Sequence, residues 1–96
     1  MATPNIEATN ATTPQQKHIT MYTTSWCSDC RAAKRYLASK GITWEEVDIE
    51  KDESAAEQIV KWSGGYRTVP TFDIEGTIIV DFNVDTRAKL DSVLGL

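Results

Sequence analysis

Histidine and cysteine are scarce in this chain, with one His and two Cys in 96 residues. A structural zinc site takes four nitrogen or sulfur ligands, so no metal site is expected from this chain alone. Two cysteines are also too few for the disulfide framework that staples small secreted domains. No apolar run approaches the roughly 18 residues of a membrane-spanning helix, so no membrane partner is expected. Nor is nucleic acid: the net charge is −4 and the ten basic residues are scattered, whereas phosphate binding needs them clustered. The opening stretch MATPNIEATNATTPQQK has neither the basic start nor the apolar centre of a secretory leader, which makes the cytoplasm the expected compartment. Its Thr, Asn, Pro and Gln content cannot bury much surface. Residues 1–16 are therefore expected to be a disordered tail, and 17–96 a single domain.

What is present is ordinary globular material, 41% hydrophobic and 25% charged. HITMYT (18–23) reads as a strand. In CSDCRAAKRYLASKG, residues Cys30, Ala33, Tyr36 and Leu37 recur at helical spacing, and Gly41 marks the end, so a helix starts at or beside Cys27. ITWEEVDIE (42–50) is β-branched and aromatic, a second strand with Trp44 in it. Ser54 to Glu57 form a capping-box pattern opening a helix that carries Ile59, Val60 and Trp62 and stops at Gly64 and Gly65. Trp44 and Trp62 are both expected in the core. Residues 71–81 read as two antiparallel strands turning at Glu75 and Gly76. Asp85 or Thr86 then caps a last helix with Leu90, Val93 and Leu94 on one face. The order is β-α-β-α-β-β-α, an α/β domain in which the first crossover makes a parallel, right-handed pair and the hairpin adds antiparallel strands.

The two cysteines form one C-x-x-C, Cys27 and Cys30, at the first strand-to-helix junction. Residues three apart in a first helical turn lie on one side, within reach of a disulfide. A bridge over two intervening residues removes little entropy from the unfolded chain, so a purely structural staple is a poor reading. Cys27 at the helix N-terminus meets unpaired N–H groups and the positive end of the dipole, which favour a thiolate. Cys30, one turn in, is more shielded. Cys27 therefore attacks and Cys30 resolves, with Asp29 opposing the thiolate and Arg31 partly offsetting Asp29.

SWCSDC, GGYRTVP and the order of elements together resemble the glutaredoxin branch of the thioredoxin superfamily, over residues 18 to 96. The resemblance implies a thioredoxin-like fold, a four-stranded mixed sheet with three flanking helices. It implies that Pro70 is a cis-proline facing the disulfide, and that the backbone of Val69 pairs with an incoming peptide or glutathione. Thr68 would flank this segment and Arg67 attract a carboxylate, while Trp26, beside the nucleophile, would be an exposed contact for the partner. Many glutaredoxins carry a lysine where this chain has Thr24, and a Gly-Gly where it has Phe82, Asn83 or Val84. Asp85 remains to accept from a substrate ammonium.

The function expected is a dithiol thiol–disulfide oxidoreductase, a monomer active in electron transfer and redox homeostasis. It would reduce protein disulfides or mixed disulfides with small thiols through Cys27 and Cys30, with no permanently bound cofactor. Glutathione, another low-molecular-weight thiol or thioredoxin reductase would resupply electrons. Two alternatives stand beside it: an iron–sulfur cluster carrier in which two chains share the metal, and a thioredoxin-reductase-dependent donor to ribonucleotide reductase.

Overall fold

A computed structural model describes residues 17–96; the expected disordered tail, residues 1–16, lies outside the described residues. The elements are β1 (Ile19–Thr23), α1 (Ser28–Ser39), β2 (Glu45–Asp48), α2 (Glu53–Trp62), β3 (Thr71–Ile74), β4 (Thr77–Val80) and α3 (Val84–Leu94). The four strands form one sheet in the order β2-β1-β3-β4. β1 runs parallel to β2, with Tyr22 opposite Val47. It runs antiparallel to β3, with Met21 opposite Phe72, and β3 continues antiparallel to β4, with Phe72 opposite Ile79. This is the mixed sheet and element order of a thioredoxin-like fold.

Because strand side chains alternate, the sheet has two apolar faces, and each is covered differently. Ile19, Met21, Phe72, Ile74 and Ile79 meet Ala33 and Leu37 of α1 and Leu90 of α3. On the other face, Tyr22 and Val47 pack with Ile49 and with Ala55, Ala56 and Ile59 of α2. The layers are thus α1 and α3, sheet, α2. Sandwiching the sheet in this way leaves the ends of the strands free to carry a site.

Several local readings change. α2 begins one residue before Ser54, because Asp52 caps it and accepts from the Ala55 amide at 3.1 Å. Ser54 instead donates its hydroxyl to Asp52 at 2.8 Å. α3 is capped by Asn83, not by Asp85 or Thr86; Asn83 and Thr86 exchange side-chain-to-backbone hydrogen bonds in a capping box. β2 is shorter than 42–50, since the Ile42 amide donates to Leu37 O and closes the end of α1. Trp44 and Trp62 are only half-buried at the margins of the two apolar layers, and Trp62 meets Tyr22 edge-on. The hairpin is as read, with Glu75 and Gly76 at φ 53° and 99°, the left-handed pair that matches the twist of the flanking strands.

Candidate active site

β1 ends at Thr23, and the chain needs four residues, Thr24 to Cys27, to turn into α1. The turn is closed by the Cys27 amide, which reaches Thr24 O at 3.5 Å. Cys27 is the N-cap: its sulfur accepts from the Cys30 amide at 3.0 Å, and its carbonyl accepts from the Arg31 amide at 3.2 Å. A sulfur at an N-cap sits where the first amides of a helix converge, the place that stabilises negative charge.

Cys27 and Cys30 are joined as a disulfide, with their Cα atoms 5.2 Å apart. The two sulfurs differ in access. Cys27 keeps 7% of its surface open to water, and Cys30 keeps 0%. An incoming group can touch the first and not the second.

Facing the pair is the loop between α2 and β3. Its Val69–Pro70 bond is cis, and the carbonyl oxygen of Val69 lies 3.7 Å from Cys27 Sγ. Two side chains hold this loop. The Ser63 hydroxyl accepts from the Tyr66 amide at 3.0 Å, and the Thr71 hydroxyl donates to Thr68 O at 2.8 Å. The Pro70 carbonyl in turn accepts from the Asp81 amide at 2.8 Å, tying the loop to the end of β4.

Between the α1 turn and this loop runs an open groove of about 520 Å³, lined by Trp26, Cys27, Ser28, Asp29, Arg67, Thr68, Val69 and Asp81. The sequence-predicted Trp26, Cys27, Arg67, Thr68 and Val69 thus come together, with Cys30 and Pro70 buried behind them. Asp85 is exposed in the first turn of α3 and is not part of the lining. The carboxylate that does line the groove from that side is Asp81, which sequence reasoning missed. Asp81 adopts φ 77°, a conformation Asp tolerates better than most residues, and its Oδ1 accepts from the Phe82 amide at 2.7 Å. The signal available was its position directly after β4, where the chain must bend toward α3.

Trp26 stands 68% exposed at the groove rim, and its indole N–H donates to Glu50 Oε2 at 2.9 Å. Tyr66, next to Arg67, is 71% exposed. Thr24, where many glutaredoxins have lysine, is buried, and its hydroxyl makes no hydrogen bond. Among the described residues no cluster of three or more His, Cys, Asp or Glu is placed to hold a metal ion, and no helix is long and apolar enough to cross a membrane.

Comparison with known proteins gives a consistent result. A family model described as Glutaredoxin matches residues 19–79. A glutaredoxin-named protein of Mycobacterium tuberculosis H37Rv is 40% identical over 79 residues, spanning 80% of this chain and 94% of its own. Glutaredoxin 3 of Escherichia coli K12 is 32% identical over 81 residues, spanning 80% of this chain and 96% of its own. Among solved structures, the glutaredoxin of Brucella melitensis superposes with a TM-score of 0.67 at 25% identity, covering 83% of this chain and 90% of that one.

Proposed function

This chain belongs to the glutaredoxin family, and on that premise we propose that it runs a dithiol exchange cycle on protein disulfides and on mixed disulfides with small thiols. Membership makes it a thiol–disulfide oxidoreductase. The observation that carries the finer reading is the unequal access of the paired sulfurs, 7% for Cys27 and 0% for Cys30.

In the reduced protein the Cys27 thiolate attacks one sulfur of a substrate disulfide. A Cys27–substrate disulfide forms, the old S–S bond breaks, and the departing thiolate takes up a proton. Cys30 then gives up its proton and attacks Cys27 Sγ. This closes the Cys27–Cys30 bridge and releases the second substrate thiol. Two electrons pass from the cysteine pair to the substrate. Two molecules of glutathione or another low-molecular-weight thiol, or a reductase acting on the bridge, restore the pair.

The groove supports this cycle with few parts. The Val69 backbone beside Cys27 receives an extended substrate segment as an added strand. Thr68, whose carbonyl is held by the Thr71 hydroxyl, flanks that segment, and Arg67 pairs with a substrate carboxylate. Asp85, outside the lining at the start of α3, accepts from a substrate ammonium that extends past the groove, whose own carboxylate on that side is Asp81. Trp26 supplies apolar contact area beside the sulfur. Residues 17–96 act as one domain and as a monomer, in the cytoplasm, where small thiols keep such pairs reduced.

The test is single-turnover reduction of a glutathionylated peptide and of a protein disulfide by the reduced protein, with Cys27→Ser and Cys30→Ser variants. Loss of Cys27 should abolish both reactions. Loss of Cys30 should spare the mixed disulfide and abolish net reduction of the protein disulfide. Inactivity of the wild type on both substrates would overturn the proposal, and a brown, cluster-bearing protein after anaerobic purification would replace it with cluster carriage.

A further inference from the structure

Trp26 poses a physical problem. It is the most prominent apolar side chain at the groove rim, yet at 68% exposure little packs beneath it. An indole on two rotatable bonds in water samples several rotamers, and a substrate that uses it must first order it.

The structure already supplies a restraint. Trp26 Nε1 donates to Glu50 Oε2 at 2.9 Å, across 24 positions of sequence. Glu50 is itself placed by its backbone. Its amide donates to Asp48 Oδ1 at 2.9 Å. The preceding residue, Ile49, is buried, and its amide donates to Thr23 O at 3.0 Å, at the end of the strand that leads into Trp26 and Cys27. The carboxylate and the indole therefore hang from the same strand end, and neither depends on the long path through α1.

We infer that Glu50 is a positioning residue that holds Trp26 as a fixed wall of the substrate groove. The inference rests on the reading of that groove as the docking place of the disulfide substrate. One feature of the chemistry follows at once. Indole has a single donor, and Glu50 occupies it, so Trp26 has no hydrogen bond left to offer a substrate. It recognises by its ring face alone, and so favours disulfides whose flanking groups are apolar.

Ordering one exposed side chain on binding costs affinity by about two- to twelvefold. Releasing the indole should therefore raise KM by that factor and leave kcat unchanged, because Glu50 does not touch the exchanging sulfurs. The full-length reduced protein and its E50A, E50Q, W26F and E50A/W26F variants would be assayed on a glutathionylated peptide with leucine beside its cysteine. The Trp26 indole ¹H–¹⁵N resonance, assigned by its absence in W26F, is followed in parallel. E50A should move that resonance and raise KM; E50Q, which keeps an acceptor oxygen, should restore both. Adding E50A to W26F should change nothing further.

An unmoved indole resonance or an unchanged KM in E50A would overturn the inference. Additive effects in the double variant would also overturn it, since Glu50 would then act by its own charge and not through Trp26. A wild type unable to reduce the peptide at all would overturn the oxidoreductase cycle on which the inference stands, a different failure from either of these.

Discussion

Glu46 lies on the exposed rim of the sheet and gathers three donors: Thr23 Oγ1 at 3.0 Å, Lys34 Nζ at 2.6 Å and Trp44 Nε1 at 3.4 Å. Burial opposes its ionisation and is the largest single influence. The bonds from Lys34, Thr23 and Trp44, with the charge of Lys34, together outweigh it and hold the carboxyl below its ordinary value of 4.5. A carboxyl depressed on folding stabilises the folded state above its unfolded value, and that contribution disappears as pH falls through the folded one. With 38% of the side chain exposed, solvent screens the effect. E46Q should thus melt a few degrees lower than wild type at neutral pH, and the gap should close below about pH 4.5. Thermal melts across that range check it; a gap that widens in acid would contradict the account. Residue by residue, what could be read from sequence was what is local. Cys27 and Cys30 announce themselves because both their spacing and their helix start lie within six letters. Glu50 and Asp81 stayed hidden, because their roles come from partners that only the folded chain brings near, Trp26 across 24 positions and the cis-Pro loop.

At the scale of elements, helix interiors were legible, as was the start of α1 at Cys27, but the caps of α2 and α3 were not. Leu37, Ile59 and Leu90 show up as periodic apolar residues, and all three are fully buried. An N-cap depends on which of several neighbouring polar side chains reaches the free amides first, and short-range sequence offers rivals. In α2, Asp52 takes the role and Ser54 is drawn into bonding to it. In α3, Asn83 takes it because Thr86 can reciprocate from the third position, where Asp85 is one residue too early. N83A removes one half of that exchange and should cost about 1 kcal/mol. In a domain of this size that is roughly 4–8 °C in Tm, measurable by calorimetry. D85A should leave Tm nearly unchanged by comparison, and the reverse ranking would refute the cap assignment. β2 was overextended for a related reason: Ile42 and Trp44 have strand-like side chains, but the Ile42 amide is already committed to ending α1.

At the scale of the molecule, the parallel first pair and the antiparallel hairpin were legible in chain order, while the order of all four strands is a property of the folded chain. A parallel crossover through α1, a return of similar length through α2 and a tight hairpin leave few sheets to build, and right-handed connection selects among them. That topology gathers the end of β1, the start of α1, the cis-Pro loop and the end of β4 at one end of the strands. On the proposed exchange cycle, with Cys30 sealed and Cys27 open to that groove, every electron that enters or leaves does so through one sulfur atom. Such a cycle would make the protein a turnstile with a single gate. Oxidised target and reducing thiol cannot be served together, so each must depart before the other is admitted. Initial rates should give parallel double-reciprocal lines, and either partner in excess should obstruct the other. Intersecting lines would mean that a second way in exists. Throughput is then set by how quickly one occupant clears the gate, and binding a target more tightly would slow the traffic.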